Sequence, residues 1–303
     1  MGTINLISLT EQYVQDQLLQ PATIRSYRVV ARTTTRVIGN LPLEDIHEQH
    51  LLAYRSKVLE KAKPITWNSY LNHLRVVFRY ALRKKYINEN PCQYIRGATI
   101  GEKSKKVIPL ELLQRSIHLL SSDDDFPQPG WFWAKVLRVL FYTGMRRRQL
   151  ISLRWGHVNL DNKEILLAAA GSKTKREWRI PINQTLADDL RQIKQKTVKC
   201  LSTQDLVERQ VYNVTLFYSR YFGPEMTESH VSGFFRRLSH KMEARLSSHR
   251  LRHTLATELM RKKNPNLKAV QYLLGHSDIR TTLSYVEQDL DILREVVAQL
   301  PCL

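Results

Sequence analysis

Two histidines and two arginines fall within five residues in His249-Arg250-Leu251-Arg252-His253; a third histidine follows in Leu274-Gly275-His276, and a tyrosine, Tyr285, comes nine residues after it. A hydroxyl downstream of clustered imidazoles and a guanidinium supplies what covalent attack on a phosphodiester needs: a nucleophile, a proton acceptor and fixed positive charge. A phenol with a pKa of about 10 is only about 0.1% ionised at neutral pH, so Tyr285 would depend on both neighbours. Ser247 or Ser248 can cap a helix that begins at His249. Offsets of three and four residues then place His249, Arg252 and His253 on one face, near the positive end of the helix dipole. The same spacing also serves an ordinary surface helix, and a lone tyrosine is more often a core or surface filler. In one unbroken helix the step from His276 to Tyr285 would rise about 13 Å and end on the opposite face, so the chain must turn between them. Ser277-Asp278 can cap a short new helix, and Thr281-Thr282 weakens its propagation.

The rest of the chain narrows the substrate. Its 303 residues carry 47 lysines plus arginines against 28 aspartates plus glutamates, a net +19, which favours a polyanionic partner through counterion release. Nucleic acid fits this balance better than an anionic membrane, because no uninterrupted apolar run of about 18 residues occurs and the N-terminus lacks a charged-then-apolar leader pattern. The sequence therefore implies a cytoplasmic protein. Cys92, Cys200 and Cys302 are too few and too scattered for a disulfide framework or a zinc knuckle, and read as reduced thiols. Asp123-Asp124-Asp125 lies in a polar loop and reads as solvated rather than metal-binding, so no metal is expected.

The elements that must position the chemistry divide near residue 100. From Leu6 to Asn90 the pattern is helical. Thr23 opens a run with Tyr27, Val30, Ala31 and Val37, and Thr66 opens another whose apolar stripe is Trp67, Leu71, Leu74, Phe78 and Leu82. Arg75, Arg79, Arg83, Lys84 and Lys85 flank or oppose that stripe, so burying it would leave a cationic face for DNA phosphates; a merely solvated face is the plainer reading. Asn90-Pro91 is expected to end the helix. Residues 1–94 form a small helical bundle on this reading, and 95–106 a linker with Lys103, Lys105 and Lys106, suited to crossing a duplex. Residues 107–303 form a second domain, mainly α with a small antiparallel β-sheet. Its helices include Pro109–Leu120 and Trp131–Tyr142, and Thr143-Gly144 breaks the second. Ile165–Ala170 and Trp178–Ile182 read as a β-hairpin after an Asp161-Asn162 turn, with Lys173 near its tip and Lys175 beside it.

These residues resemble the tyrosine recombinase family, of the phage integrase and Xer type, across the whole second domain. Arg146, in Thr143-Gly144-Met145-Arg146, matches the family's T-G-[LM]-R box, and Lys173 the hairpin lysine. His249 and Arg252 match H-x-L-R-H, His276 matches L-G-H, and Tyr285 matches the nucleophile. The resemblance implies an N-terminal core-binding, SAM-like helical bundle and an α+β catalytic domain that clamp a duplex half-site as a C. It also implies a covalent 3′-phosphotyrosyl intermediate with a free 5′-hydroxyl, formed without ATP, divalent ion or any cofactor. Arg146 and Arg252 would hold the non-bridging oxygens, and Lys173 would protonate the departing 5′ oxygen. His249 would act as acid or base, and His276 would orient the phosphate or the tyrosine. Double-stranded recombination sites are the expected substrate. The expected assembly is a homotetramer at synapsis and a monomer or weak oligomer off DNA, with an accessory DNA-bending or directionality protein as a further partner. A prokaryotic or mobile-element origin and association with the nucleoid follow from the same resemblance. A helix after Tyr285, with Leu290, Ile292, Leu293, Val296 and Val297, would dock on a neighbouring subunit.

One position departs from the family. Where R-x-x-E is common, Gln149 stands in place of the acid, after Arg147 and Arg148; it loses a carboxylate but keeps an amide oxygen able to accept a hydrogen bond. Two other readings remain open on sequence: a type IB topoisomerase, which shares the arginines, lysine and tyrosine, and a DNA-binding regulator with a weakened site.

Overall fold

The structure, a computed structural model, describes residues 4–101, 107–122, 128–168, 177–201, 203–262 and 265–285. Lys103, Lys105, Lys106, Asp123–Asp125, Lys173, Lys175, Cys302 and the helix expected after Tyr285 lie outside the described residues. The chain divides into two compact units, Met1–Lys103 and Ser104–Leu303.

The first unit is a bundle of four helices, α1 (Leu6–Asp16), α2 (Pro21–Ile38), α3 (Glu48–Lys61) and α4 (Pro64–Arg83). Their shared core holds Leu9, Leu51, Tyr54, Trp67, Leu71, Leu74 and Phe78, each at most 1% exposed. Two expectations about helix ends need correction. Thr23 and Thr66 open nothing, because α2 and α4 start earlier, with Pro21 and Pro64 in the first turn. Proline is tolerated there, since the amide it lacks would have no intrahelical partner. At the other end α4 stops at Arg83, well before Asn90-Pro91, and Lys85 takes the left-handed conformation at φ 59°. Val37 and Leu82, assigned to the apolar runs, are exposed. The stretch expected to be a linker from residue 95 also begins packed: Ile95 is 1% exposed, and Asn68 Nδ2 donates to the Ala98 carbonyl at 2.9 Å while the Ala98 amide donates back to Asn68 Oδ1 at 2.7 Å. An apolar side chain and a reciprocal amide pair hold this strap to α4.

The second unit is mainly helical around one long buried element. After α5 (Leu110–Ser122), α6 (Gly130–Thr143) is buried on nearly all sides, and Trp133 stacks on Phe234 with ring centroids 4.3 Å apart. Such a helix must place its charges with care. Lys135 and Arg138 both bind Asp189 of α8 (Gln184–Cys200), each at 2.6 Å, and Lys135 also reaches Gln192 at 2.8 Å. The pairing meets the requirement that a buried charge keep a partner.

A three-stranded antiparallel sheet flanks this core: β1 (Val158–Asn159), β2 (Glu164–Leu167) and β3 (Trp178–Pro181), with Ile165 opposite Ile180 and Leu167 opposite Trp178. Ile165, Leu167, Trp178 and Ile180 alternate inward, as the period of two requires. The expected hairpin is therefore present, in shorter strands, and β1 is an addition. Asn159 Oδ1 shapes the β1–β2 turn by accepting from the amides of Asp161 and Asn162. The remaining helices are α7 (Arg147–Ser152), α9 (Glu228–Lys241), α10 (Ser248–Met260), α11 (Leu267–Leu274) and α12 (Ile279–Leu283). Among the described residues no helix is long and apolar enough to cross a membrane.

Candidate active site

Three helix ends converge on the site. Helix α6 ends on Gly144, left-handed at φ 61°, whose amide donates to the Leu140 carbonyl. A side chain there would be strained, and its Cβ would meet Leu274 Cδ2 at 2.8 Å. Helix α11 ends the same way on Gly275, φ 60°, where a Cβ would fall 2.4 Å from Trp178 Cζ2 of β3. Helix α10 starts at its cap, Ser247, whose side chain accepts from the Arg250 amide; a first turn later it carries Arg252 into the gap between the two glycine turns.

Arg252 is 4% exposed. Its Nη1 donates to the Gly144 carbonyl at 2.6 Å and its Nη2 to the Leu274 carbonyl, so one guanidinium ties the ends of α6 and α11 together. Burial pushes its pKa down to about 10, with the Arg146 charge adding to the effect and Tyr285 opposing it. Arg146 follows the Gly144 turn as the residue that caps α7. Its amide donates to Gln149 Oε1 at 2.8 Å, so the glutamine does accept the hydrogen bond expected of it. Gln149 Nε2 and Arg146 Nη1 are buried with no hydrogen-bond partner among the described residues. Burial lowers the pKa of Arg146 too. A guanidinium with an unpartnered buried donor beside a second guanidinium suits an anion better than solvent.

Arg147 and Arg148 fix the start of α7 from outside. Their Nε atoms donate to the two oxygens of Glu228 on α9, at 2.8 and 2.9 Å, and Arg147 Nη1 reaches Ser232 Oγ at 2.6 Å. Partial burial raises the Glu228 pKa, but hydrogen bonds from Arg148 and Arg147 outweigh it and hold the carboxyl below its ordinary value.

Tyr285 closes the site. The chain turns after His276 as expected: Asp278 caps the short α12 by accepting from the Arg280 amide, and the Tyr285 amide donates to the Thr282 carbonyl at 3.0 Å. This places the Tyr285 ring, 4% exposed, in a small apolar cluster with Leu255, Ala256, Met260, Val270 and Leu274. Burial raises the phenol's pKa, while Arg252 and then Arg146 pull it down. His276 lies parallel to the Tyr285 ring, centroids 6.2 Å apart, and its Nδ1 is 2.8 Å from Thr282 Oγ1. The phenol oxygen itself is 2.5 Å from Nδ1 of His253. His249 is exposed at the start of α10 and packs edge-on against His253, centroids 4.1 Å apart.

The structure thus brings together Arg146, Arg252, His276 and Tyr285, and sets His249 one imidazole away from the tyrosine. Sequence reasoning placed His253 on the helix face without giving it a role, and read Thr282 only as weakening the short helix; the four-residue offset from His249 was the available signal for the first. The expected DNA contacts of the helical unit split in two. Arg79, Arg83 and Lys85 are exposed, whereas Arg75 Nη2 donates to the Ile95 carbonyl at 2.6 Å and Lys84 pairs with Asp16 at 3.1 Å.

Comparison with known proteins agrees with this reading of the fold. Residues 119–290 match the phage integrase family and residues 10–98 the phage integrase central domain. A tyrosine recombinase XerC of Pseudomonas aeruginosa is 31% identical over 302 residues, covering 95% of this chain and 70% of that protein. One from Pseudomonas syringae is 30% identical over 309 residues, covering 98% of this chain but only 64% of the relative, so this chain spans less than two thirds of the latter's length. The Tn1549 transposon integrase, solved in complex with a circular intermediate DNA, superposes with a TM-score of 0.79 at 19% identity, covering 98% of this chain and 100% of that one. At that identity the likeness is one of fold. Fold and family together define an enzyme of DNA strand exchange. The chain belongs to the phage integrase family, that of the tyrosine recombinases.

Proposed function

We propose that this chain cuts and rejoins duplex DNA at specific sites through a 3′-phosphotyrosyl bond made by Tyr285, exchanging strands between two sites. The observation that carries the assignment is the Tyr285 phenol, buried at a gap where two guanidiniums, Arg252 and Arg146, act on it. A scissile phosphate placed there would meet the buried Nη1 of Arg146, which has no partner among the described residues, and the N–H groups of Arg252 not already given to carbonyls. Donors fixed before the reaction stabilise the crowded, more negative transition state without reorganising. Lys173 protonates the leaving 5′ oxygen, His249 takes part in proton transfer at the edge of the site, and His276, held by Thr282, orients the ring it lies against.

DNA backbone binding falls to Arg79, Arg83 and Lys85, with Lys103, Lys105, Lys106 and Lys175 completing the basic set; Arg75 and Lys84 add to it to the extent that their present partners release them. One tyrosine makes one cut, and two duplexes exchanged completely need four cuts, which is the reason for a homotetramer at synapsis. A monomer or weak oligomer off DNA, an accessory bending or directionality protein, and a place in the cytoplasm on the nucleoid complete the proposal.

The test begins with duplexes selected from a random library by binding to the protein. A nick placed just downstream of the cleavage position lets the short fragment bearing the freed 5′-hydroxyl diffuse away and traps the covalent complex. The expected result is an adduct, and recombinant products when two intact sites share a plasmid. Supercoil relaxation with no exchange would favour the topoisomerase reading, and selective binding with no adduct the regulator reading.

A further inference from the structure

The hydroxyl of the nucleophile rests on an imidazole to which the family resemblance gives no part. Tyr285 Oη and His253 Nδ1 are 2.5 Å apart, whereas His276 meets the phenol ring across 6.2 Å and directs Nδ1 to Thr282 Oγ1. His249, assigned acid or base from sequence, contacts His253 with its ring centroid 4.1 Å away and stands exposed at the helix start. The titratable groups that face His253 include His249 from its own helix and Tyr285 from the segment after α12. His276 lies behind the tyrosine, and the Arg252 and Arg146 charges act on the same phenol.

We propose that His253, as a neutral imidazole, accepts the proton of Tyr285 as the phenol attacks phosphorus, an assignment that rests on Tyr285 being the nucleophile. The Oη–H bond breaks and its proton passes to Nδ1 of His253. The Oη–P bond forms as the bond from phosphorus to the 5′ oxygen breaks, and that oxygen leaves with a proton from a separate acid. In religation the 5′-hydroxyl attacks the phosphotyrosine, the Oη–P bond breaks, and the histidinium returns its proton to Oη. Geometry favours this acceptor: the ring is already at hydrogen-bond distance of a phenol that is 4% exposed, so no water need be recruited between them. The guanidiniums fit the scheme, because their positive charge favours loss of the phenol's proton.

His253→Gln tests it, since an amide oxygen can accept the phenol's hydrogen bond but cannot take its proton. The readout is the rate of adduct formation on the nicked duplex across pH. Two substrates are compared: the natural one, and one whose bridging 5′ oxygen is sulfur, a leaving group that needs no acid. Wild type is expected to gain rate, with an inflection, as pH rises through the range in which imidazoles lose their proton. His253→Gln should lose that inflection and about 10²–10⁴ in rate while binding DNA as wild type does. Sulfur should not restore it. A His253→Gln rate within about twofold of wild type, or full rescue by sulfur, overturns the proposal; the second outcome would move His253 to the leaving-group side. If the glutamine variant fails to bind DNA, His253→Asn replaces it, and a wild-type profile without an inflection is itself contrary. Failure of the underlying reading looks different: an adduct formed by Tyr285→Phe.

Discussion

Arg146→Met and Arg252→Met remove the same charge from the same pocket and keep the aliphatic stem, yet the structure gives them opposite effects on stability. Arg252→Met leaves the buried carbonyls of Gly144 and Leu274 without their donor. At about 1–3 kcal/mol for each orphaned group this costs about 2–6 kcal/mol. Against it stands the release of a buried cation. At about 1.36 kcal/mol per pKa unit, lowering the guanidinium from its ordinary value to about 10 means that holding this charge costs about 3 kcal/mol. The net is a loss centred near 1 kcal/mol. Arg146→Met orphans no carbonyl, because its Nη1 has no partner among the described residues, and it also releases a partly buried charge, so it should be neutral or stabilising. Catalysis does not share the asymmetry: each variant should lose at least about 10²–10³ in rate, the magnitude typical of one oxyanion donor. Urea unfolding followed by circular dichroism gives the stabilities, and adduct formation on the nicked duplex gives the rates. If Arg146→Met destabilises the protein as much as Arg252→Met does, the division between a scaffold guanidinium and a phosphate-facing one is wrong.

Gly275→Ala should destabilise by about 2–5 kcal/mol, combining the left-handed backbone with overpacking against Trp178; in urea unfolding, adding Trp178→Phe should recover part of the loss, and no recovery would refute the contact. Gln149→Glu keeps the acceptor that caps α7 and removes a buried unpaired donor, so adduct formation should hold or rise, whereas Gln149→Leu should lower it. Glu228→Gln loosens the clamp on Arg147 and Arg148. Because the folded pKa of Glu228 is depressed, its contribution is present above the ordinary carboxylate value of 4.5 and fades as pH falls through the folded one. Unfolding midpoints of wild type and Glu228→Gln should therefore differ most near neutrality and converge in acid; a gap that widens in acid would contradict the sign.

The chemistry was more legible in the sequence than the scaffold that aims it. Arg252, His276 and Tyr285 stood out because their spacing and types suit what such a site needs, Arg146 was picked out only by its resemblance to the family's T-G-[LM]-R box, and the turn between His276 and Tyr285 followed from helix geometry alone. Two short strand-like segments after the Asp161-Asn162 turn announced the hairpin, but two-residue β1 is too short for a period to show. Thr23 and Thr66 misled because a capping residue is a local signal, and Pro21 and Pro64 set the starts instead. The scaffold role of Arg252 has no sequence signature, since its acceptors are backbone carbonyls from two helices distant in the chain. Likewise, the choice of His253 over His249 as the tyrosine's partner depends on where α11 and α12 deliver the phenol, a tertiary fact.

The central claim is that Tyr285 becomes joined to DNA. Digesting the trapped protein–DNA complex with protease and nuclease and sequencing the peptide that retains a nucleotide tests it most directly. The account predicts a single modified peptide carrying the nucleotide on Tyr285, absent from Tyr285→Phe. A nucleotide on any other side chain, or an adduct that survives that substitution, would contradict it.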